Sequence, residues 1–250
     1  MEIKVLGIDC ATQDAKIGLA VGRFAHGCLT IQEAFACTRE ESAAAAITKR
    51  LSIGREPALL AIDAPLGWPQ TLARVLANHR AGEALEAEAH DMFRRETDVF
   101  IKKKTGKTPL DVGADRIART AYAALRLLRD IKTNLRRERI PLAWHCPPTH
   151  DLSVIEVYPA ATLIGHGFRS GGYKKADQSA QRNEMIDKLR SVAEFSGDVA
   201  DAMLRSADVL DAVVCLVAAQ DFLLGNAMPP EKRDLAEIEG WIWTREKQQS

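Results

Sequence analysis

The chain has 250 residues, of which 46% are hydrophobic and 27% charged, the balance of a globular protein with a sizeable core in one large or two small domains. Lys plus Arg and Asp plus Glu both number 34, so the net charge points to neither nucleic acid nor membrane, although a local basic patch stays possible. No apolar run reaches transmembrane length. The five cysteines are scattered without a CxxC pair, which predicts reduced thiols in a cytoplasmic protein.

The N-terminal quarter predicts three strands, a helix and a fourth strand. Ile3–Asp9 is an apolar run typical of a central strand, and it has neither the basic start nor the length of a signal peptide. Lys16–Phe24 and Cys28–Phe35 are rich in β-forming residues around a glycine turn, which predicts a hairpin. The alanine-rich segment Arg39–Leu51 predicts a helix, and Ala58–Asp63 predicts a second core strand.

The remaining three quarters predict mostly helix. Before the next strand we expect a charged, mostly helical region at Pro69–Arg95, a polar loop at Thr97–Pro109 and a helix at Val112–Arg139. A short strand at Ser153–Tyr158 follows. The chain then continues with an amphipathic helix at Ala176–Ala193 and a helix at Ser206–Leu224. The last helix is apolar on nearly every face, so we expect it to be buried against a sheet.

This order of elements predicts an α/β fold of the ribonuclease H-like type. A hairpin beside two later parallel strands, with helices between them, gives a mixed central sheet with helices on both faces. No composition change marks a linker, so we predict a single domain over residues 1–250 with a helical insertion at about 69–110.

Four carboxylates lie at the edges of apolar elements, where an unpaired charge is costly. Asp9 and Asp63 each end an apolar strand, and Asp208 and Asp211 are three residues apart in what we expect to be the first turn of the last apolar helix. Each acid alone has a structural explanation: a helix-dipole partner beside a Ser206 cap, or the start of a turn. Together, at matching points of one topology, they predict a metal site.

Carboxylate oxygens are the ligands that Mg²⁺ or Mn²⁺ prefers, and a pair of such ions can stabilise the attacking and leaving oxygens of a phosphodiester. We therefore predict a two-metal hydrolase in which Asp9, Asp63, Asp208 and Asp211 hold the ions. Glu156 is a fifth candidate because it lies on a core strand. The sequence leaves open whether it binds metal or pairs with an arginine such as Arg95.

Several blocks of the chain resemble a known family, the domain-of-unknown-function family DUF429, described as predicted ribonuclease H-like nucleases. The resemblance covers nearly the whole chain and lies in GIDCAT (Gly7–Thr12), IDAPLGWP (Ile62–Pro69), RRETDVF (Arg94–Phe100), IEVYPAA (Ile155–Ala161), the D-x-x-DA block (Asp208–Ala212) and EGWIW (Glu239–Trp243). It implies the fold and a predicted nuclease activity on DNA or RNA. The acids are also similar to those of RuvC-type junction resolvases, except that Asp63 stands where those proteins have a glutamate.

Arg95 and Asp98 fall in one of these family blocks. We expect Arg95 to contact a scissile phosphate with its planar fork, held in place by Asp98; the alternative is a surface ion pair worth under roughly 1 kcal/mol. Lys174, in a glycine-rich segment, and the lysines at 102–104, 107 and 175 are candidates for contact with a phosphate backbone, although such runs are usually solvated loops.

Two other functions remain open. Gly7, Ile8, Asp9 and Thr12 also suit the first phosphate-binding hairpin of actin-like and sugar-kinase-like ATP-binding proteins, although the chain is short for their two lobes. A catalytically silent binding module that keeps the fold and its acids for structure is the third hypothesis. The sequence does not indicate an oligomeric state.

Overall fold

The computed structural model describes residues 2–54, 56–113, 115–175 and 177–247, with the side chain of Asp115 also left out. The predicted segments at 112–139 and 176–193 therefore include one position each, Ala114 and Ala176, that lies outside the described residues. None of the helices in the described ranges is long and apolar enough to cross a membrane. All five cysteines are free thiols.

The described ranges form three N-terminal strands, followed by a mostly helical remainder with three further strands. The strands are β1 (Glu2–Asp9), β2 (Gly18–Ala25), β3 (Cys28–Ala36), β4 (Ala58–Asp63), β5 (Leu152–Glu156) and β6 (Glu194–Phe195). The helices are α1 (Ala43–Leu51), α2 (Gln70–Leu76), α3 (Ala89–Phe93), α4 (Glu96–Thr105), α5 (Asp115–Asn134), α6 (Pro159–Gly165), α7 (Ser179–Leu189), α8 (Gly197–Arg205), α9 (Ala207–Leu223) and α10 (Arg233–Glu239).

The strands form one mixed sheet in the order β5-β4-β1-β2-β3-β6. The first three strands are antiparallel neighbours, whereas β4 pairs parallel to β1, and β5 pairs parallel to β4. This is the ribonuclease H-like arrangement, a hairpin pair on one side of β1 and parallel crossover strands on the other. The α/β fold class with a mixed sheet is confirmed.

Helices cover both faces of the sheet. The buried helix α9 lies across β1 to β4 on one face, called here the α9 face, where the core also includes residues of α6, α7 and α8. Helices α1 and α5 cover the opposite face, called the α5 face. As expected from its apolar residues, α9 is buried along nearly its whole length.

Two glycines allow α9 to lie very close to the sheet. A Cβ atom built on Gly7 of β1 would overlap the backbone carbonyl oxygen of Ala212, and one built on Gly18 of β2 would overlap that of Asp208. Any larger residue at either position would push the helix away from the strands. These glycines therefore determine how closely the acidic start of α9 approaches the end of β1.

The predictions for residues 97–109 and for the smaller helices need correction. The segment predicted as a polar loop forms α4, which ends at Gly106 in the left-handed conformation, a common helix stop. The region 69–95 contains only the two short helices α2 and α3. The helices α6, α8 and α10 and the two-residue strand β6 were not predicted. The other strands and helices lie within a few residues of their expected bounds.

Candidate functional site

Strand alternation brings Asp9 and Asp63 to the same face of the sheet. Alternate side chains of β1, at Ile3 and Val5, belong to the core of the α9 face, and Asp9 follows them with the same parity. Asp63 lies on the same face as Leu59 of β4 for the same reason. Asp9 and Asp63 are also register partners of neighbouring parallel strands, so their carboxylates lie side by side at the sheet edge.

The start of α9 supplies the other two acids. The Oγ atom of Ser206 caps the helix by accepting a hydrogen bond from the backbone N–H of Val209 at 3.3 Å, as expected. Asp208 lies in the first turn, but Asp211 falls in the next one, so the prediction that both acids lie in the first turn is wrong. Asp208 is exposed, whereas the side chain of Asp211 is buried.

Electrostatic coupling identifies these four acids as one group, called here the acidic cluster (Asp9, Asp63, Asp208 and Asp211). Burial raises the pKa of Asp9 well above its usual range, and Asp63, Asp211 and Asp208 raise it further. Burial, followed by the charge of Asp211, raises the pKa of Asp63 to about 8. The cluster therefore favours bound protons or cations.

A lysine already lies at the cluster. The Nζ atom of Lys174 is 2.6 Å from Oδ2 of Asp211, and the hydroxyl of the buried Tyr173 donates a hydrogen bond of 2.6 Å to Oδ1. Burial opposes the charge of Lys174, but Asp211, Asp63 and Asp9 outweigh it and raise the pKa of the ammonium. The sequence could not indicate this contact, because it depends on the path of the loop before α7.

The donors of the acidic cluster suit Mg²⁺ or Mn²⁺, but their arrangement does not fit an ion as it stands. Within the described ranges, no three His, Cys, Asp or Glu side chains are placed to hold a metal together. Both oxygens of Asp211 already have partners, Tyr173 and Lys174. Carboxylate oxygens are nevertheless the ligands these hard cations prefer.

Glu156 does not join the cluster, because it points to the other face. Its register partner is Ile62, which belongs to the core of the α5 face, whereas Asp63 faces α9. Its carboxylate instead accepts two hydrogen bonds from Arg95, at 2.9 and 2.8 Å, and one of 2.9 Å from the backbone N–H of Leu66. Of the two roles left open for Glu156, the arginine pair is the one observed, and a catalytic role for Glu156 stays a prediction.

Arg95 is not available to a phosphate in this arrangement. Its side chain is 1% exposed, and its guanidinium donates to Glu156, to the carboxylate of Asp98 and, at 3.1 Å, to the backbone carbonyl of Glu239. The prediction that Asp98 holds Arg95 is confirmed, with contacts of 2.9 and 3.1 Å. The surface-pair alternative is wrong since both residues are buried. Arg95 therefore has a structural role in this arrangement, and its contact with a phosphate stays a prediction.

Glu239 is a buried residue whose role the local sequence pattern does not predict. Its two carboxylate oxygens accept hydrogen bonds of 2.8 Å from the backbone N–H groups of Gln70 and Glu96, at the starts of α2 and α4. These N–H groups have no partner within their own helices. Glu239 therefore ties both helices to the C-terminal segment, and its place in the EGWIW block was the available signal.

Two cavities meet at the acidic cluster. One of about 240 Å³ is lined by Asp9 and Asp63 together with the Arg95, Asp98 and Glu156 network. The other, called here the lysine cavity, has a volume of about 390 Å³. Its lining includes Asp63, Tyr158, the glycines of the loop before α7, and three lysines: Lys107, Lys174 and Lys175. Asp63 and Tyr158 line both cavities, so lysine side chains lie directly beside the acids.

The strand order and directions define a ribonuclease H-like α/β fold. The model of the family described as "Protein of unknown function (DUF429)" matches residues 7–234, and the chain belongs to this family. The predicted family assignment is confirmed.

Comparison with solved structures found two distant likenesses. One is T. thermophilus RuvC in complex with Holliday junction substrate, with 12% identity, coverage of 91% of this chain and 99% of that one, and a TM-score of 0.33. The other is the Aquifex aeolicus PPX-GPPA enzyme, with 11% identity, coverage of 98% and 95%, and a TM-score of 0.17. A search of curated proteins found no match.

Proposed function

We propose that the protein is a metal-dependent nuclease that hydrolyses phosphodiester bonds of DNA or RNA at the acidic cluster, with Mg²⁺ or Mn²⁺ as cofactor. The observation that carries the proposal is the meeting of Asp9, Asp63, Asp208 and Asp211, from two strand ends and a helix start, at one edge of the sheet. A divalent ion bound there would stabilise negative charge on the oxygens of a phosphodiester.

The raised pKa values support a role for the acids as cation ligands. Burial and the charges of neighbouring acids raise the pKa of Asp9, Asp63 and Asp208, so these carboxylates are costly to ionise together. Such a group weakens the fold unless a cation offsets the repulsion. Costly charges of this kind are typical of functional sites.

The lysine cavity supports an anionic substrate. Lys107 and Lys175 are exposed, and they line the same cavity as Asp63. A phosphate bound there would lie between the lysines that neutralise it and the acids that hold the cation. On the α5 face, a further groove is lined by Arg119, Tyr122 and Arg126 of α5 together with Thr12. The two arginines of this groove would give a nucleic acid strand additional basic contacts.

The test uses the full chain with fluorescently labelled single-stranded, duplex and branched DNA and RNA, in Mg²⁺, in Mn²⁺ and in a chelator. We expect cleavage that requires the metal and falls about 100-fold or more in Asp9→Asn. Asp187→Asn, an exposed acid on α7, is the matched control and should cleave like the parent chain. No metal-dependent cleavage of any substrate by the folded, metal-loaded protein would rule the proposal out.

The two other hypotheses give different outcomes in the same preparation. An ATP-binding protein should show a rise in melting temperature with Mg²⁺-ATP, through linkage, whereas the nuclease should not. A silent binding module should bind nucleic acid or another partner equally well with and without metal, and Asp9→Asn should leave that binding unchanged.

A further inference from the structure

Helix α5 presents an exposed tyrosine between two exposed arginines. Arg119, Tyr122 and Arg126 are spaced by three and four residues, so they lie on the same face of the helix. Tyr122 is 63% exposed, which leaves most of its ring open to a ligand. The two arginines are about 10 Å apart along the helix axis, one on each side of the ring.

These three side chains line a groove of about 410 Å³, called here the α5 groove, whose other lining residues are Thr12, Ala118 and Ala123. Among the lining residues that the structure describes, none is acidic. The groove therefore offers two cations and an aromatic ring within one depression. This combination suits a ligand in which negative charges and flat rings alternate, as they do in a nucleic acid strand.

The α5 groove lies next to the cavity of the acidic cluster, because the same two segments border both. Asp9, at the end of β1, lines the cavity of about 240 Å³, and Thr12, three residues later, lines the groove. On α5, Thr120 lines that cavity and its neighbour Arg119 lines the groove. A strand that lies in the α5 groove therefore continues towards Asp9.

We propose that the α5 groove binds single-stranded nucleic acid, and that the substrate of the acidic cluster is unpaired rather than fully duplex. One base stacks on the ring of Tyr122, and Arg119 and Arg126 contact the phosphates on either side of it. The inference deepens the proposed function and rests on it for the reaction that follows binding. Bases of a duplex are already paired and stacked on their neighbours, so a free base reaches the ring at a much lower cost.

The experiment measures binding by the full chain in a chelator, so that metal-dependent cleavage does not interfere. Fluorescence anisotropy compares a labelled single strand of mixed sequence with the duplex of the same sequence. Tyr122→Ala removes the ring and Tyr122→Phe keeps it. Leu125→Ala is the matched control, since Leu125 is also exposed on α5 but does not line the groove.

A second pair of variants tests the phosphate contacts. Arg126→Met removes a cation of the groove. Arg129→Met removes one from the same helix outside it, where Arg129 pairs with Asp130 at 2.9 Å. Thermal unfolding establishes that each variant is folded. A single strand that contains 2-aminopurine reports stacking directly, because the fluorescence of this base falls when it stacks on a ring.

We expect the parent chain to bind the single strand more tightly than the duplex and to quench 2-aminopurine. Tyr122→Ala should lose about 5-fold or more in single-strand affinity, together with the quenching, and little in duplex affinity. Tyr122→Phe and Leu125→Ala should bind like the parent chain. Arg126→Met should lower the slope of log affinity against log salt by about 0.7, and Arg129→Met should not.

Several results would overturn the inference. Duplex binding as tight as single-strand binding by the parent chain would do so, as would unchanged 2-aminopurine fluorescence, and neither measurement needs a variant. Parent-like single-strand affinity in a folded Tyr122→Ala chain would also overturn it. Poly-glutamate that binds as tightly as the single strand, and loses affinity in Arg126→Met, would make the α5 groove a site for acidic peptides instead.

The inference and the nuclease proposal fail separately. Metal-dependent cleavage by a chain that binds the single strand equally well with and without the Tyr122 ring would overturn the inference and leave the nuclease standing. Binding of the single strand that depends on the ring, without cleavage in Mg²⁺ or Mn²⁺, would support the inference and defeat the nuclease.

Discussion

Asp9 of β1 and Asp63 of β4 are register partners at the ends of neighbouring parallel strands, and both carboxylates point to the face that α9 covers. Adjacent strands lie only about 4.7–4.9 Å apart, so two ionised carboxylates in this relation repel strongly. Burial and this repulsion together raise the pKa of Asp9, while burial and Asp211 do the same for Asp63. The pair therefore destabilises the fold whenever both acids are charged and no cation is bound.

Replacing Asp63 by Asn should stabilise the metal-free protein, by an amount that grows with pH. The pKa of Asp63 is about 8 in the fold and about 3.8 in a free chain, so the folded state binds a proton that the unfolded state releases. The free energy of unfolding of the parent chain therefore falls as the pH rises from about 4 to about 8, whereas the Asn variant escapes this loss. We expect a gain on the order of 2 kcal/mol at pH 8, roughly 4–8 °C in melting temperature, and none at pH 3.

Thermal unfolding at a series of pH values in a chelator buffer measures this gain. Asp187→Asn, which removes an exposed acid outside the cluster, should show no such trend. A difference between Asp63→Asn and the parent chain that stays constant from pH 3 to pH 8 would contradict the raised pKa.

Replacing Arg95 by Met should cost about 3–5 kcal/mol of stability, because it leaves the buried carboxylates of Glu156 and Asp98 without their cation. Arg94→Met is the matched control: Arg94 pairs with Asp111 at 2.9 Å in a partly exposed position, so its loss should cost under about 1 kcal/mol. Urea unfolding of the two variants measures both values. If Arg95→Met instead keeps the stability of the parent chain and binds nucleic acid more weakly, Arg95 contacts a phosphate rather than stabilising the fold.

Much of this fold was predictable from local patterns, because each element that builds the sheet carries its own signal. The apolar runs of β1 and β4 end in acids, and the all-round apolar helix α9 could only lie buried on a sheet. The same alternation that defines a strand also separates Glu156 from Asp63, since Glu156 pairs with Ile62. Strand alternation alone does not decide the face of Glu156. The register of β5 against β4 is also needed, and it shows that Glu156 faces away from the acidic cluster.

Long-range contacts between polar residues were not predictable in this way. The contact of Lys174 with Asp211 depends on how Arg182 holds a glycine-rich loop, and nothing local indicates that path. The polar outer face of α4 makes its sequence resemble a loop. It is stabilised by buried contacts with the C-terminal segment, among them the hydrogen bond of 2.8 Å from the N–H of Ile242 to the hydroxyl of Thr97.

Replacing Gly18 by Ala should weaken both the fold and metal binding. Gly18 is the register partner of Asp9, and a Cβ atom there would overlap the carbonyl oxygen of Asp208, so α9 would have to move away from the strands. We expect a cost of about 1–3 kcal/mol or more in urea unfolding, together with weaker Mn²⁺ binding. Gly197→Ala is the control, since no atom lies within 4 Å of a Cβ there. Parent-like Mn²⁺ affinity in a folded Gly18→Ala chain would mean that the approach of α9 does not set the geometry of the acidic cluster.

Removing two lysines from the lysine cavity should reduce the salt dependence of nucleic acid binding. Lys107→Met combined with Lys175→Met takes away two exposed cations beside Asp63 but leaves Lys174 at Asp211. Each lost phosphate contact lowers the slope of log affinity against log salt by about 0.7 for a single strand and about 0.9 for a duplex, so the double variant should lose roughly 1.4–1.8. All of these variants also carry Asp9→Asn and are measured in a chelator. Fluorescence anisotropy then reports binding without cleavage.

The matched control for that pair removes the same charge elsewhere. Lys49 of α1 and Lys188 of α7 do not line the lysine cavity, so Lys49→Met combined with Lys188→Met should keep the parent slope. Equal slopes for the two double variants would mean that net charge, not the cavity, drives binding. A lower slope for the cavity variant alone would instead place the phosphates beside Asp63, because only direct neutralisation of a phosphate releases its counterions.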